Sequence, residues 1–248
     1  MYKLAVYQVI AHLSVIAIFF NFDITLLLCS FLIYYAMISI GISAGYHRLL
    51  SHKGYAAPEW FKHVSLAVGT LGLNASALVW AAMHREHHAY SDKEGDPHSP
   101  GISGILETYF GVIFYQPKLR FAKDLLRDKT VMFYHKHYFK INIAYDIFLF
   151  IINPMYVIYL HWLPAVILWH AEAAINVIAH LPKFGYRNYD TDDNSKNSHL
   201  LAVLIAGEGY HNNHHKSPRN TNFAHKTNEY DITSTIVDLI KKEEPNDV

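Results

Sequence analysis

The chain has 248 residues, 52% of them apolar and only 17% charged, with 21 Lys and Arg balanced by 21 Asp and Glu. Disorder is excluded, because it needs low hydrophobicity and high charge, and the lack of a basic excess argues against a nucleic-acid partner, whose phosphates demand cations. The lone cysteine, Cys29, excludes an internal disulfide framework.

Positive charge is missing from three long stretches, 4–47, 63–84 and 141–182. A membrane-spanning helix needs about 20 mostly apolar residues, so the first stretch has room for two spans and the third for two more. The expected spans are 4–20, 24–46, 141–160 and 163–182, joined by short links at 21–23 and 161–164. Met1 to Phe20 lacks a small-residue cleavage pattern and reads as a span, not a cleaved signal peptide. Arg48, Lys53, Lys62, Arg85 and the later polar segments then share one face, which the positive-inside rule makes cytoplasmic. The expected fold is all-α. It is a single domain over 1–248, an integral membrane protein with four transmembrane helices and a cytosolic helical cap from 47–140 and 183–248, with both termini and the active site cytoplasmic.

The segment 63–83 is long and apolar enough to suggest a fifth span. A crossing there would put His84 to His88 on the far side from His47 and His52, and Gly69, Gly72, Asn74 and Ser76 dilute it. It is expected to lie at the interface or within the cap. Lys241 to Val248 read as a frayed tail.

Eighteen histidines stand out, and they are grouped: HRLLSH at 47–52, HREHH at 84–88 and HNNHH at 211–215. His84, His87 and His88 fall at i, i+3 and i+4, one face of a helix, and His211, His214 and His215 repeat the spacing. His47 and His52 are five apart, which is not one face of a regular helix, so the second span is expected to end near Gly45 to Leu49 and turn. In the last span Glu172, Asn176 and His180 fall at i, i+4 and i+8, a polar stripe of the kind that is costly in a membrane and functional by default. A lone histidine is more often a satisfied core or surface residue, and His12, His63, His135, His137, His161, His170, His199 and His225 take that reading. Eight or nine neutral imidazoles without a cysteine ligand suit a borderline metal such as iron, and more than four ligands implies two ions.

HRLLSH, HREHH, NVIAH at 176–180 and GEGYHNNHH at 207–215, in that order, resemble the membrane fatty acid desaturase family, close to its stearoyl-type Δ9 branch. The resemblance runs from about Tyr35 to Tyr230. It implies iron ligands at His47, His52, His84, His87, His88, His180, His211, His214 and His215, with Asn176 reaching a metal through water. It also implies two iron ions, dioxygen as co-substrate, and removal of two adjacent hydrogens from a saturated acyl chain. With no haem, flavin or nicotinamide motif in evidence, two electrons are expected from a separate donor, such as a ferredoxin or a small b-type cytochrome, docked on the cap. Glu86, Asp96, Glu172 and Glu208 are the candidate acceptors for the far N–H of ligand imidazoles, which metal-bound histidines usually give to a carboxylate or carbonyl.

For the acyl chain, Tyr35 and Ser39, one turn apart, match family positions at the closed end of a substrate tunnel, and Trp80 occupies a position that lines or bends it. The animal acyl-CoA enzymes carry an Arg-Asp pair just before the second histidine box, where this chain has Ala82 and Met83. WAAMHREHH instead resembles the acyl-lipid enzymes of bacteria and plastids. A membrane-lipid acyl chain is therefore the leading substrate and acyl-CoA follows, with Arg85, Lys93, Lys118, Arg120 and Lys123 available for phosphates. The few residues before the first span resemble a minimal form of the family. Two alternatives stay open: a membrane di-iron hydroxylase of alkyl or sterol substrates, and a non-catalytic metal-binding membrane protein, whose ligands would sit near mid-membrane if it were a transporter.

Overall fold

In the computed structural model, which describes residues 2–242, the chain is all-helical and the described residues form no strand. Most of the tail expected at Lys241 to Val248 lies outside the described residues. Helix α1 (Tyr2–Ser14) tightens into a 3-10 turn (Val15–Phe19). Asp23 then opens α2 (Ile24–Ala36) by accepting the Leu26 N–H at 3.0 Å, the usual way a short polar side chain satisfies an orphan donor at a helix start.

Helix α2 does not turn at Gly45 to Leu49 as the histidine spacing suggested. It continues unbroken as a π-helix over Met37–Ser51. The two glycines serve a crossing instead of an end. A Cβ on Gly41 would sit 2.7 Å from the Gly69 nitrogen, and one on Gly45 would sit 2.6 Å from the Ser65 Cβ, so α3 (Glu59–Leu71) packs backbone against backbone here.

The apolar segment 63–83 is split between α3 and α4 (Ala77–Tyr90), of 13 and 14 residues, each too short to cross a bilayer. Leu73 and Ala75 adopt positive φ between them, which breaks the helix. A short α5 (Ile105–Phe110) with its 3-10 extension (Gly111–Phe114) lies against α1 and the later helix Leu163–Ile178, leaving Ile105, Leu106, Phe110 and Phe114 at least half exposed.

The boundary between the last two long helices falls at Asn153 and Pro154, not at 161–164. Helix α6 (Lys129–Ile152), capped by Asp128, begins well before the expected residue 141. Pro154 starts the next helix, where its missing N–H costs nothing, and Asn153 accepts the Met155 N–H at 2.9 Å. From there α7 (Pro154–Val157), a π turn (Ile158–Trp162) and α8 (Leu163–Ile178) form one 25-residue helix. The wider turn lets Pro164 sit inside it, where an α-helical ladder would clash with the proline ring.

Among the described residues, three helices are long and apolar enough to cross a membrane: Tyr2–Phe19, Ile24–Ser51 and Pro154–Ile178. The C-terminal half of α6 adds an exposed apolar face at Ile143, Ile147, Phe148 and Ile151. Three short helices follow among the described residues: α9 (His199–Leu204), α10 (His211–Lys216) and α11 (Ile232–Ile240). Ile38, Ile42, Tyr46, Leu66, Leu78, Leu168 and Ile205 form the central core and seat the histidine-bearing segments on one another.

Candidate metal centre

Four parts of the chain bring nine imidazoles together. The π-bonded end of α2 supplies His47 and His52, α4 supplies His84, His87 and His88, the turn after α8 supplies His180, and α10 supplies His211, His214 and His215. They form two groups, His47, His52, His84, His88 and His214 in one, and His87, His180, His211 and His215 in the other. Within each group the candidate ligand nitrogens lie within 4.8 Å of one another. The groups touch where the His88 and His215 rings stack with centroids 4.5 Å apart.

Carboxylates set the tautomers. His47 Nδ1 donates to Glu208 at 2.6 Å, His87 Nδ1 to Asp96 at 2.9 Å, His180 Nδ1 to Asp92 at 2.9 Å, and His215 Nδ1 to Asp193 at 2.6 Å. A carboxylate only accepts, so each of these rings carries a proton on Nδ1, and Nε2 is the atom left to offer a lone pair. Those lone pairs converge. His211 Nε2 lies 3.0 Å from both His180 Nε2 and His215 Nε2, and His214 Nε2 lies 3.0 Å from His47 Nε2 and 2.8 Å from His88 Nε2.

A neutral imidazole carries one proton, so His211 can donate to only one of the two lone pairs facing it. The Nδ1 atoms of His211 and His214 are themselves buried without a partner. Extra protons are no remedy. Burial, and then the neighbouring imidazoles, hold His84, His87, His88, His211 and His214 well below their ordinary 6.5, and His52 at about 2. Converging, all-nitrogen donors in two groups fit two divalent cations of borderline softness.

The carboxylates that hold the rings are ionised. Burial alone would raise Glu208, but His47, Arg48 and Ser43 outweigh it and hold it at about 2. Asp92 is likewise held at about 2 against its burial by His180, Ser99 and the Asn194 N–H, and Asp193 is held below its usual range by His215, Ser195 and Thr191. Burial lifts Asp96 to about 6, and it accepts the backbone N–H groups of Asp92 and His98 as well as His87 Nδ1. Arg48, 1% exposed, bridges Glu208 at 3.3 Å to Asp231 at 2.7 Å and lies over the Phe223 ring.

Two of the four carboxylates expected to hold imidazoles do not touch one. Glu86 lies on the opposite side of α4 from the histidine stripe and pairs with Lys118 at 2.7 Å, accepting its backbone N–H as well. Glu172 accepts the Trp80 indole N–H at 3.0 Å, and Trp80 stacks on His84 with centroids 4.9 Å apart. Asp92 and Asp193 take the places expected for Glu86 and Glu172. Asp92 follows the HREHH box by four residues, while Asp193 is in a loop far from any histidine motif, so spacing pointed to neither.

A cavity of about 60 Å³ opens beside the imidazoles, walled by Ile38, Ile42, Ile175, Ile205 and Trp80, with His47, His98 and His211 at its polar end. Asn176 and Glu172 separate it, together with Trp80 and Met83, from a neighbouring cavity of about 50 Å³. Tyr35 and Ser39 line neither. The Tyr35 hydroxyl donates to the Val203 carbonyl at 3.1 Å and its ring lines a separate cavity, and Ser39 donates to the Tyr35 carbonyl at 2.6 Å. Ile38 and Ile42 of the same helix line the cavity beside the imidazoles. His98, outside the three boxes, is buried with its ring stacked on His87 at 4.2 Å.

The sequence pattern of the fatty acid desaturase family matches residues 24–225. The chain is 32% identical over 227 residues to an sn-1 stearoyl-lipid 9-desaturase of Anabaena variabilis, covering 89% of this chain and 82% of that protein. It is 34% identical over 190 residues to an sn-2 palmitoyl-lipid 9-desaturase of Nostoc sp. (strain 36), covering 73% of this chain and 66% of that one. A probable acyl-CoA desaturase of Schizosaccharomyces pombe is 31% identical over 223 residues, covering 83% of this chain but 45% of its own length. With its histidine groups, its all-helical build and these relatives, the chain belongs to the fatty acid desaturase family.

Proposed function

We propose that this desaturase inserts a cis double bond, at Δ9, into a saturated acyl chain carried by a membrane glycerolipid, with acyl-CoA as the second carrier. The reading rests on two irons held by His47, His52, His84, His88 and His214 on one side and His87, His180, His211 and His215 on the other, with Asn176 acting through water. Bound there, the irons supply the activation of dioxygen that breaking an unactivated C–H bond requires and that no side-chain acid or base provides. The observation that carries this is the convergence of Nε2 lone pairs, with ring protons fixed on Nδ1 by Asp92, Asp96, Asp193 and Glu208.

The chain's own residues do the positioning. The four carboxylates orient the rings and raise their basicity. Ile38, Ile42, Ile175 and Ile205 offer an apolar wall to methylene groups, and burial of the site excludes water from the reacting carbons. Trp80, held by Glu172, stands where the two small cavities must join to admit a full acyl chain. Ala82 and Met83, both uncharged, leave no cation before the second histidine box for a CoA phosphate, and both named cyanobacterial relatives are lipid-acting.

We further infer four membrane crossings, by α1, α2, the apolar half of α6 and α7–α8, with both ends of the chain and the histidines cytoplasmic. The distribution of Lys and Arg supports this, as does the exposed apolar face of α6. Intact-lipid mass spectrometry of an expressing strain tests the function, alongside the iron content of the purified protein. New double bonds in membrane-lipid acyl chains are expected, and oxygenated lipids, or iron binding without lipid change, would overturn the reading.

A further inference from the structure

We propose that the surface depression beside His52 is the docking site for a small, acidic, one-electron carrier protein, an inference that rests on the desaturase reading above. The reaction fixes what such a partner must deliver. Dioxygen takes four electrons and four protons on becoming two waters. The two C–H bonds lost from the acyl chain supply two of each. The carrier supplies the other two electrons, one per docking event, and solvent supplies the remaining two protons.

Among the nine candidate ligands, His52 and His88 are partly buried while the His215 side chain is only 2% exposed, so the cluster comes nearest the surface on the His52 side. His52 opens onto a depression of about 430 Å³ that it lines with Ser51, Lys53, Arg85, Pro218 and Arg219. Its Nε2 lies 2.7 Å from His84 Nε2, so a carrier seated there is one ring away from the interior of the cluster. The apolar cavity offered to the acyl chain is lined by His47, His84, His87 and His211 and not by His52. Electrons and substrate therefore approach the imidazoles from different sides.

The charge at this mouth is one-sided. Lys53, Arg85 and Arg219 line it, and the exposed Lys216 follows the ligand His215 directly. The carboxylate that contacts them is Asp124, 2.8 Å from Lys53 Nζ and 2.7 Å from Arg85. The chain as a whole has zero formal charge, so this local excess and not the bulk charge steers a partner. Arg85 is also tied to the Ser51, Leu50 and Phe121 carbonyls, which fixes the floor of the depression. Lys53, with its side chain 58% exposed, and Arg219 form the accessible rim. A rim of cations around a recessed redox ligand suits the small, transient, charge-steered contacts of electron carriers.

The test uses the iron-loaded full chain in nanodiscs, driven by reduced [2Fe–2S] ferredoxin or a reduced soluble b-type cytochrome of acidic surface, whichever supports turnover of the unaltered protein. Arg219→Glu and Lys53→Gln are expected to raise the KM for the carrier by about tenfold at low salt, with kcat at saturating carrier unchanged and the salt dependence of the rate reduced. Turnover driven by a dithionite-reduced small mediator is expected to be the same in the variants and the unaltered protein. Unchanged carrier KM in both variants would overturn the proposal, as would an effect that appears only when anionic lipid is varied, which would make the rim a lipid contact. Failure of the unaltered protein even with the chemical mediator would overturn the desaturase reading itself.

Discussion

His52 donates its backbone N–H to the His47 carbonyl at 3.0 Å, the i→i+5 bond of a π-helix. That bond explains how two histidines five residues apart, which an α-helix would point in different directions, bring their rings to within 4.9 Å. π-helical turns are rare and concentrate at functional sites. Here the widened ladder extends the long apolar helix directly into the histidine cluster.

The π-helical segment is pressed against α3 at Gly41, where even a methyl group would collide with the Gly69 backbone. Gly41→Leu is expected to destabilise the protein by at least the 1–3 kcal/mol typical of overpacking, roughly, because the obstructing atoms are backbone. Thermal unfolding of the detergent-solubilised protein checks it. An unchanged Tm would show that the two helices are not in close contact.

Glu208 fixes the His47 proton and is shared with Arg48. Glu208→Gln keeps the size but loses the charge that favours an Nδ1–H donor. Iron affinity or activity is expected to fall by about 10–100-fold, measured as iron retained against a chelator and as turnover. Retention equal to the unaltered protein would contradict the role given to this carboxylate.

Asp193 holds His215, which belongs to only one of the two imidazole groups. Asp193→Ala is therefore expected to weaken one metal position selectively, lowering bound iron from about two per chain toward about one. Metal analysis with Mössbauer spectroscopy separates the two positions. Equal loss from both would show that the groups do not bind independently.

Acid should empty and loosen the site. Burial holds His52, His84, His87, His88, His211 and His214 below their ordinary 6.5. The unfolded chain therefore binds these protons first, and stability and metal affinity are full above about pH 6.5 and fall as the pH drops below it. Iron retention and thermal unfolding followed from about pH 8 to about pH 5 check the sign. A flat or rising curve on acidification would contradict it.

Much of the site was legible because metal binding imposes a spacing. Imidazoles at i, i+3 and i+4 on α4 and α10 must share a face whatever the surrounding chain does. The π ladder was not legible, since an i→i+5 spacing reads as a turn unless the hydrogen bonding is known. Asp92 and Asp193 were missed because the aspartates that orient His180 and His215 are brought up by loops. Tyr35 and Ser39 were named from the resemblance and not from spacing, and the cavity beside the imidazoles is lined by Ile38 and Ile42 of the same helix. The break at Asn153–Pro154 carried a proline signal, yet the uncharged run 141–182 has no charge to mark it, and the later Pro164 suggested the wrong link.

The central claim is tested most directly by gas chromatography of fatty acids from a strain expressing the chain, compared with a His87→Ala variant, when a competent electron donor is present. The account predicts monounsaturated acyl chains in the first and none above background in the second. Unsaturated product made equally by both would contradict the assignment of the imidazoles as metal ligands, and none from either would contradict the desaturase activity.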